Sequence, residues 1–404
     1  MTGALAGIKI LDLTRVLAGP WATQLLADLG ADVIKVEKPL VGDDTRHWGP
    51  PFFTYGDGKK DAAYYLAANR GKQSVAIDIA TGEGGALIRE LAKRCDVLVE
   101  NFKVGDLTRY GLDYLSLNES NPRLIYCSIT GFGQTGPYAE HPGYDVVIQA
   151  LGGMMSLTGE PDGEPMKTGV ALTDILAGLY AANAIQAALR HRDRTGFGQQ
   201  IDIALLDVQV SVLANQAMNF LVSGKDPKRF GNAHPNIVPY QTFRTLDGWI
   251  MIAVGNDAQF ERLCRILGRP ELCTESRYST NSQRVQNRET LIPTIQAILV
   301  ERATKDWSDR LQAAGVPAGS INNLSDVFQD PQVVYRGLNM ALAAADGSQV
   351  PSVACPIRMS ATPPQIGAAP PRLGANTAHI LRSTLSLSDE EINDLIARGV
   401  VQNF

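Results

Sequence analysis

The chain has 404 residues, of which 45% are hydrophobic and 20% charged, so it is long enough to form two ordinary cores. Its formal net charge of -5 at pH 7 argues against a surface that binds nucleic acid. Five cysteines lack metal-ligand spacing, and no stretch has the roughly 18–20 uncharged apolar residues of a membrane span. We therefore expect a cytoplasmic protein with small-molecule ligands, without a metal, a permanently bound cofactor, a nucleic acid or a membrane as partner.

Apolar runs alternate with helical patterns in the first half of the chain, which is typical of βαβ units around a parallel sheet. The pattern predicts strands at 8–13, 32–37, 74–79, 96–100 and 124–129, and helices at 20–29 and 83–92. No Gly-x-Gly-x-x-Gly sequence follows these strands, so a nicotinamide or flavin site loses its main support. We predict an α/β fold whose large domain is Rossmann-like and doubly wound.

The second half contains a different set of elements. Its residue pattern predicts a buried helix at 171–189, a strand at 199–203 and a helix over 205–222. A hairpin of 241–245 with 249–254 and helices at 259–266, 288–301 and 305–314 are predicted next. An extended segment over 344–374 and final helices at 373–385 and 389–399 end the chain. The large domain is predicted at 1–200 plus 350–404 and a smaller α+β domain at 225–330. Linkers are predicted at 201–224 and 331–349.

Asp174 is the first candidate for chemistry, because it is an ionisable residue near the start of an otherwise apolar helical run. An aspartate at this position often only caps the helix through backbone N–H groups. The same helix terminus can also hold a carboxylate ionised for attack on a thioester. The position alone leaves both interpretations open.

Positive charges follow or precede several predicted strands, at the edge of the sheet where doubly wound folds bind ligands. They are Lys38, Arg46, Arg70, Lys72, Lys103 and Arg109. Most surface Lys and Arg side chains are simply solvated. Several at successive strand ends are also what a ligand with several phosphates requires.

Several motifs together carry a family resemblance. They are GIKILDLTRV (7–16), AGP (18–20), LGADVIKVE (29–37), VENF (99–102), GFGQTGP (131–137), GYD (143–145) and LGANT (373–377). The combination covers nearly the whole chain and resembles the class III, or CaiB/BaiF, coenzyme A transferases. Further segments, GDDTR (42–46), CSITG (127–131) and IVPYQ (237–241), resemble the succinyl-CoA–glutarate branch of that family. The resemblance implies an interlocked homodimer, in which each chain threads the other.

The resemblance also implies a nucleophile and a mechanism. In this family the nucleophilic aspartate lies in the pattern Gly, four residues, Asp, three residues, Gly, which here is Gly169, Asp174 and Gly178. Asp174 would then attack an acyl-CoA to form a mixed anhydride, and the released thiolate would return to form an aspartyl-CoA thioester. A carboxylic acid, such as a short dicarboxylate, would finally collect the CoA. The CoA thioester is a co-substrate in this scheme.

Further positions of the family match this chain residue by residue. The CoA contacts that the resemblance implies are Val16, Ala18, Lys38, Asn101, Phe102 and Arg109. Tyr144 and Asp145 match residues near the reacting acyl group, and Leu17 stands where formyl-CoA transferase has a glutamine. Arg46 and His234 are our candidate partners for the distal carboxylate of a dicarboxylic acid.

Two other functions are alternatives to CoA transfer. The 2-methylacyl-CoA racemases resemble this chain in their opening sequence, but they use a histidine directly before the aspartate where this chain has Tyr144. Tyrosine, with an unperturbed pKa of about 10, is a poor substitute for that base. A non-catalytic CoA-binding protein is the third alternative, and it would not need Asp174.

Overall fold

The computed structural model describes residues 3–404, so the first two residues of the predicted 1–200 segment lie outside the described residues. The strands in this range are β1 (Lys9–Asp12), β2 (Asp32–Glu37), β3 (Phe52–Thr54), β4 (Lys60–Ala62), β5 (Lys72–Ile77), β6 (Val97–Glu100), β7 (Ile125–Thr130), β8 (Gln200–Ala204), β9 (Tyr240–Arg244), β10 (Trp249–Ala253), β11 (Ala318–Ser320), β12 (Asn339–Ala343), β13 (Gln349–Val353) and β14 (Val401–Gln402).

The helices in the same range are α1 (Ala18–Asp28), α2 (Ala63–Leu66), α3 (Gly82–Ala92), α4 (Tyr114–Ser120), α5 (Asp145–Leu151), α6 (Met154–Leu157), α7 (Leu172–Thr195), α8 (Leu205–Ser211), α9 (Ala214–Ser223), α10 (Asp257–Ile266), α11 (Asn281–Gln286), α12 (Arg288–Leu299), α13 (Thr304–Ala313), α14 (Leu324–Gln329), α15 (Pro331–Tyr335), α16 (Thr377–Leu385) and α17 (Asp389–Ala397). Short 3-10 helices cover Asp44–His47, Thr108–Tyr110 and Pro270–Cys273.

A parallel-rich sheet forms the core of the larger compact unit, which confirms the predicted α/β class. Its strand order is β14-β5-β2-β1-β6-β7-β8, and only β14 pairs antiparallel with its neighbour. The six parallel strands, numbered along the chain, are therefore ordered 3-2-1-4-5-6, an order of doubly wound sheets. The order reverses between β1 and β6, and ligands bind doubly wound sheets at the carboxyl ends of such strands.

Alternate residues of each central strand face opposite layers of helices, as the period of two requires. Ile10 packs with α1, α7 and α8 on one face, whereas Leu11 packs with α3, α16 and α17 on the other. Because both faces are covered, successive residues of a central strand are buried, as in β6 (VLVE), where all four are. This two-sided burial fixes the loops that leave the carboxyl ends of the strands.

Helix α7 is the longest helix in the described residues and lies directly against α1. At Gly178, an added Cβ would come within 2.6 Å of the carbonyl oxygen of Ala18, so only glycine allows the two helices this approach. Among residues 3–404, α7 is long and apolar enough to cross a membrane by length and composition, and 44% of its most apolar window is buried. The bent pair α8 and α9 passes the same test if it is counted as one segment.

The second compact unit consists of Met155–Lys167 and Met218–Asp330. Its antiparallel sheet has the order β11-β10-β9, and the β9–β10 hairpin lies where the sequence predicts a hairpin. Helices α10, α12 and α13 contribute to its hydrophobic core. Arg284 is fully buried there and is held by Asp257 and by the carbonyl oxygens of Val238 and Tyr278.

The first unit comprises the chain up to Met154, Thr168–Ala217 and Pro331–Phe404, so its boundaries differ from the predicted ones. The predicted linker 201–224 begins inside β8, an edge strand of the main sheet. The predicted linker 331–349 also belongs to this unit and contains β12. The single helix predicted over 205–222 is broken into α8 and α9, which are bent by 72°, at a position where Ala214 has a φ of 47°.

Candidate active site

A cavity of about 260 Å³ opens in the first unit at the carboxyl ends of β1, β6 and β7. Many of the predicted site residues line it: Val16, Leu17, Ala18, Asn101, Phe102, Tyr144, Asp145 and Asp174. They come from four separate stretches of the chain. The fold therefore brings together residues that only the family resemblance had connected.

Asp174 lies in the first turn of α7 and is only 9% exposed. This helix has no side-chain cap of its own, and Asp145, the first residue of α5, supplies the missing acceptor. The Oδ1 atom of Asp145 accepts the backbone N–H groups of Thr173 (2.8 Å) and Asp174 (3.2 Å). Its Oδ2 atom accepts the side-chain amide of Gln149 at 2.6 Å. Two carboxyl groups thus share the start of one helix.

The environment of Asp174 changes its acidity. Burial, together with the negative charge of Asp145, raises the pKa of Asp174 from 3.8 to about 7. The N-terminus of α7 acts in the opposite direction, because the partial positive charge of its N–H groups favours a carboxylate. An ionised Asp174 is therefore poorly solvated, which is a state suited to nucleophilic attack.

The loop after β1 forms one wall of the cavity and is held on both sides. The side-chain amide of Asn101 accepts the N–H of Arg15 at 3.0 Å and donates to the carbonyl oxygen of Arg15 at 2.7 Å. Val16, the next residue, has a φ of 71°, which is a rare conformation for a β-branched side chain. Asn101 therefore acts on the shape of the loop as well as bordering the cavity.

A second cavity, of about 270 Å³, borders the first and contains the predicted cations Lys38 and Arg109. The two cavities share Arg15, Phe102 and Asp106. The guanidinium group of Arg15 lies 5.6 Å from the centre of the Phe102 ring, and it forms an ion pair with Asp44 at 3.2 Å. An elongated ligand can therefore place a reactive group beside Asp174 and anionic groups beside these cations.

Two predicted residues lie elsewhere. Arg46 is 4% exposed, and its guanidinium group donates to Glu37, Asp61, the Tyr65 hydroxyl and a backbone carbonyl. A contact between Arg46 and a ligand carboxylate would require these buried bonds to break. His234 lies in the second unit, where burial and the nearby Arg288 lower its pKa.

Two residues of the site were not predicted. Arg15 lines the first cavity, and its position just after β1 was a signal that could have found it. Lys103, one of the positive charges expected near a strand end, lines the same cavity. Tyr64 is close enough to the site that, after burial, Asp174 and Asp145 contribute to raising its pKa. It is far from both aspartates in sequence, so no local pattern connects them.

The fold and this cavity define an α/β protein with a buried carboxylate, Asp174, at the carboxyl edge of a parallel-rich sheet. The chain belongs to CoA-transferase family III, whose family model matches residues 5–377. The predicted family and enzyme class are therefore confirmed.

Individual relatives agree with this assignment. The chain is 56% identical to a succinate–glutarate CoA-transferase of Agrobacterium fabrum over 89% of this chain and 90% of that protein. It is 46% identical to the human succinyl-CoA:glutarate CoA-transferase over 98% of this chain and 90% of that protein. A crystal structure of a CaiB/BaiF family protein from Brucella suis superposes with a TM-score of 0.85 and 52% identity, covering 95% of this chain and all of that one.

Proposed function

We propose that this protein transfers CoA from succinyl-CoA to glutarate and that Asp174 is the covalent nucleophile. The observation that carries the proposal is the buried carboxylate of Asp174 in a cavity that continues toward Lys38 and Arg109. The names of the relatives from Agrobacterium fabrum and human support the choice of donor and acceptor. The direction of net transfer depends on the supply of the two acids.

The proposed reaction preserves the thioester energy through covalent steps. The Asp174 carboxylate attacks the thioester carbonyl of succinyl-CoA, which releases the CoA thiolate and leaves a mixed anhydride. The thiolate attacks the Asp174 carbonyl of that anhydride, which releases succinate and leaves an aspartyl-CoA thioester. Glutarate then attacks the aspartyl thioester, and the released thiolate attacks the glutaryl carbonyl of the new anhydride. Glutaryl-CoA and free Asp174 result.

The proposed CoA site follows the two neighbouring cavities. The phosphates of CoA lie near Lys38 and Arg109, and the pantetheine chain passes Phe102 toward Asp174. Val16, Ala18 and Asn101 border this path, and Leu17, Tyr144 and Asp145 border the acyl group. The role of His234 at the distal carboxylate stays a prediction, whereas the buried ion pairs of Arg46 make Arg46 a poor candidate for that role.

We also propose that the large unit is Rossmann-like and that the protein acts as an interlocked homodimer in the cytoplasm. Its five cysteines are free thiols, as a reducing compartment favours. Several large apolar side chains of α5, α7 and α8 are exposed in the single chain, which a partner chain would cover: Val146, Val147, Leu151, Leu179, Tyr180 and Val210.

The test is to incubate the purified protein with succinyl-CoA and glutarate and to follow both acyl-CoA species by mass spectrometry. We expect glutaryl-CoA to form, and we expect Asp174→Asn to lower the rate by at least about 1,000-fold because the nucleophile is absent. Hydroxylamine should cleave the aspartyl-CoA thioester and leave a hydroxamate on Asp174 in the wild-type protein. Substantial exchange by Asp174→Asn would contradict the proposed nucleophile.

The same variant has a built-in control for folding. The folded-state pKa of Asp174, about 7, lies above the roughly 4 of an unfolded chain, so the wild-type protein loses stability as the pH rises between these values. Asparagine carries no charge to desolvate. Asp174→Asn should therefore be at least as resistant to urea as the wild-type protein at pH 8, and lost activity cannot then be attributed to unfolding.

A further inference from the structure

The loop after β1 is strained where it borders the cavity. Val16 has a φ of 71°, a conformation that is sterically unfavourable for a β-branched residue. A strained residue persists only where its surroundings hold it in place. The contacts that hold Val16 are therefore part of what shapes this wall of the cavity.

Buried charged side chains form hydrogen bonds with the backbone of this loop. Asp43 accepts the N–H of Val16 through Oδ1 at 3.3 Å, and its Oδ2 accepts the Lys35 ammonium at 2.9 Å. The same ammonium group donates to the carbonyl oxygen of Thr14 at 2.8 Å. Asp12 completes the set by accepting the N–H of Thr14 at 2.9 Å.

Asp43 and Lys35 form an ion pair whose side chains are both 0% exposed. A buried ion pair contributes little net stability, because desolvation offsets its attraction. Here both partners also bond to the backbone of the same loop, on either side of Arg15. The Asp43–Lys35 pair therefore holds the backbone of the β1–α1 loop in one conformation.

We propose that Asp43 is a positioning residue for CoA binding: through Lys35 and the N–H of Val16 it holds the β1–α1 loop in the strained shape that receives CoA. This inference rests on the proposed function, because it requires that CoA occupies the cavity beside Val16. Asp43 also lines the second cavity. Its side chain is 0% exposed and bonds to the loop, so it touches no reacting atom and acts through the loop.

The test measures the affinity for free CoA by calorimetry, together with KM and kcat for succinyl-CoA. Asp43→Asn keeps the shape of the side chain but removes the charge that holds Lys35. We expect the Kd of CoA and the KM of succinyl-CoA to rise about tenfold and kcat to change less than about threefold. Asp28→Asn is the matched control, because Asp28 is also 1% exposed and ion-paired, to Arg70. It should weaken folding without changing the affinity for CoA.

A second variant separates positioning from a general structural effect. Glycine reaches a φ of 71° without strain, so the loop of Val16→Gly needs less support. In that background Asp43→Asn should raise the Kd of CoA by no more than about twofold, whereas independent effects would again give about tenfold. An unchanged Kd in Asp43→Asn, or the full tenfold loss in both backgrounds, would overturn the proposal. If the wild-type protein bound no CoA, the proposed function itself would fall and take this inference with it.

Discussion

The carboxylates of Asp174 and Asp145 both lie at the N-terminus of α7, and their electrostatic repulsion should affect the pH dependence of the reaction. The nucleophile must be ionised, and its pKa is raised to about 7 by burial and by Asp145. The kcat/KM for succinyl-CoA should therefore rise with pH through about 7.

Asp145→Asn removes the negative charge and keeps an oxygen that accepts the N–H groups of Thr173 and Asp174. The acid limb of the kcat/KM–pH profile should move down by about one pH unit and no further, because burial contributes more than Asp145 to the raised pKa of Asp174. Asp113→Asn, at the aspartate that caps α4, is the control and should leave the limb in place. A limb that stays fixed in Asp145→Asn would show that the two carboxylates are not coupled.

The sequence predicted which residues of the site carry charge, but it did not predict which groups surround those residues in the fold. Asp174 was correctly placed near the start of a helix, and the structure adds that its N–H is capped by a residue of another helix. Arg46 illustrates the opposite outcome, because its four partners lie 9, 15, 19 and 325 positions away in the sequence and meet only in the folded chain. Local patterns show that a charge exists, but only the tertiary fold determines whether that charge is already neutralised.

At the scale of elements, the contact between α1 and α7 sets the distance between the β1–α1 loop and Asp174. Gly178→Ala would place a methyl group within 2.6 Å of the Ala18 carbonyl oxygen and 3.2 Å of the Trp21 Cβ atom, so the helices must separate. We expect a loss of about 1–3 kcal/mol in the free energy of unfolding. We also expect kcat/KM to fall about tenfold or more, since a small misplacement of the nucleophile is costly.

The matched control for this change is Gly82→Ala at the start of α3, where an added Cβ meets nothing within 4 Å. It should leave both urea unfolding and turnover nearly unchanged. Normal stability and activity in Gly178→Ala would contradict the close approach of the helices. The other glycine of the pattern, Gly169, also has open space around it, so contacts within this chain explain only Gly178.

The elements that sequence patterns predicted well are those with a strong period. Strand β2 lies at the predicted residues 32–37, and α17, which was also predicted, begins with a capping box formed by Ser388 and Glu391. The short β3–β4 and β12–β13 hairpins were not predicted, because three to five residues carry too little periodicity. Strand β14 was also missed, since its two residues are ordered by pairing with β5, more than 300 positions earlier.

At the scale of the whole molecule, oligomeric state decides whether the exposed face of α7 is a surface or an interface. Helix α7 is 24 residues long, yet Leu179 and Tyr180 are 41% and 46% exposed in the single chain. Exposed apolar side chains on three neighbouring helices are what a permanent partner would bury.

Light scattering coupled to size-exclusion chromatography should therefore give twice the 43.5 kDa mass of one chain. The paired change Leu179→Asp with Tyr180→Asp should lower that mass or prevent assembly, because two carboxylates would have to be desolvated at the interface. Leu115→Asp is the control, at a side chain of α4 that is 74% exposed, and it should leave the mass unchanged. A wild-type protein that remains monomeric at micromolar concentration would remove the proposed homodimer. The exposed face of α7 would then need another explanation, while the cavity around Asp174, which is formed within one chain, would be unaffected.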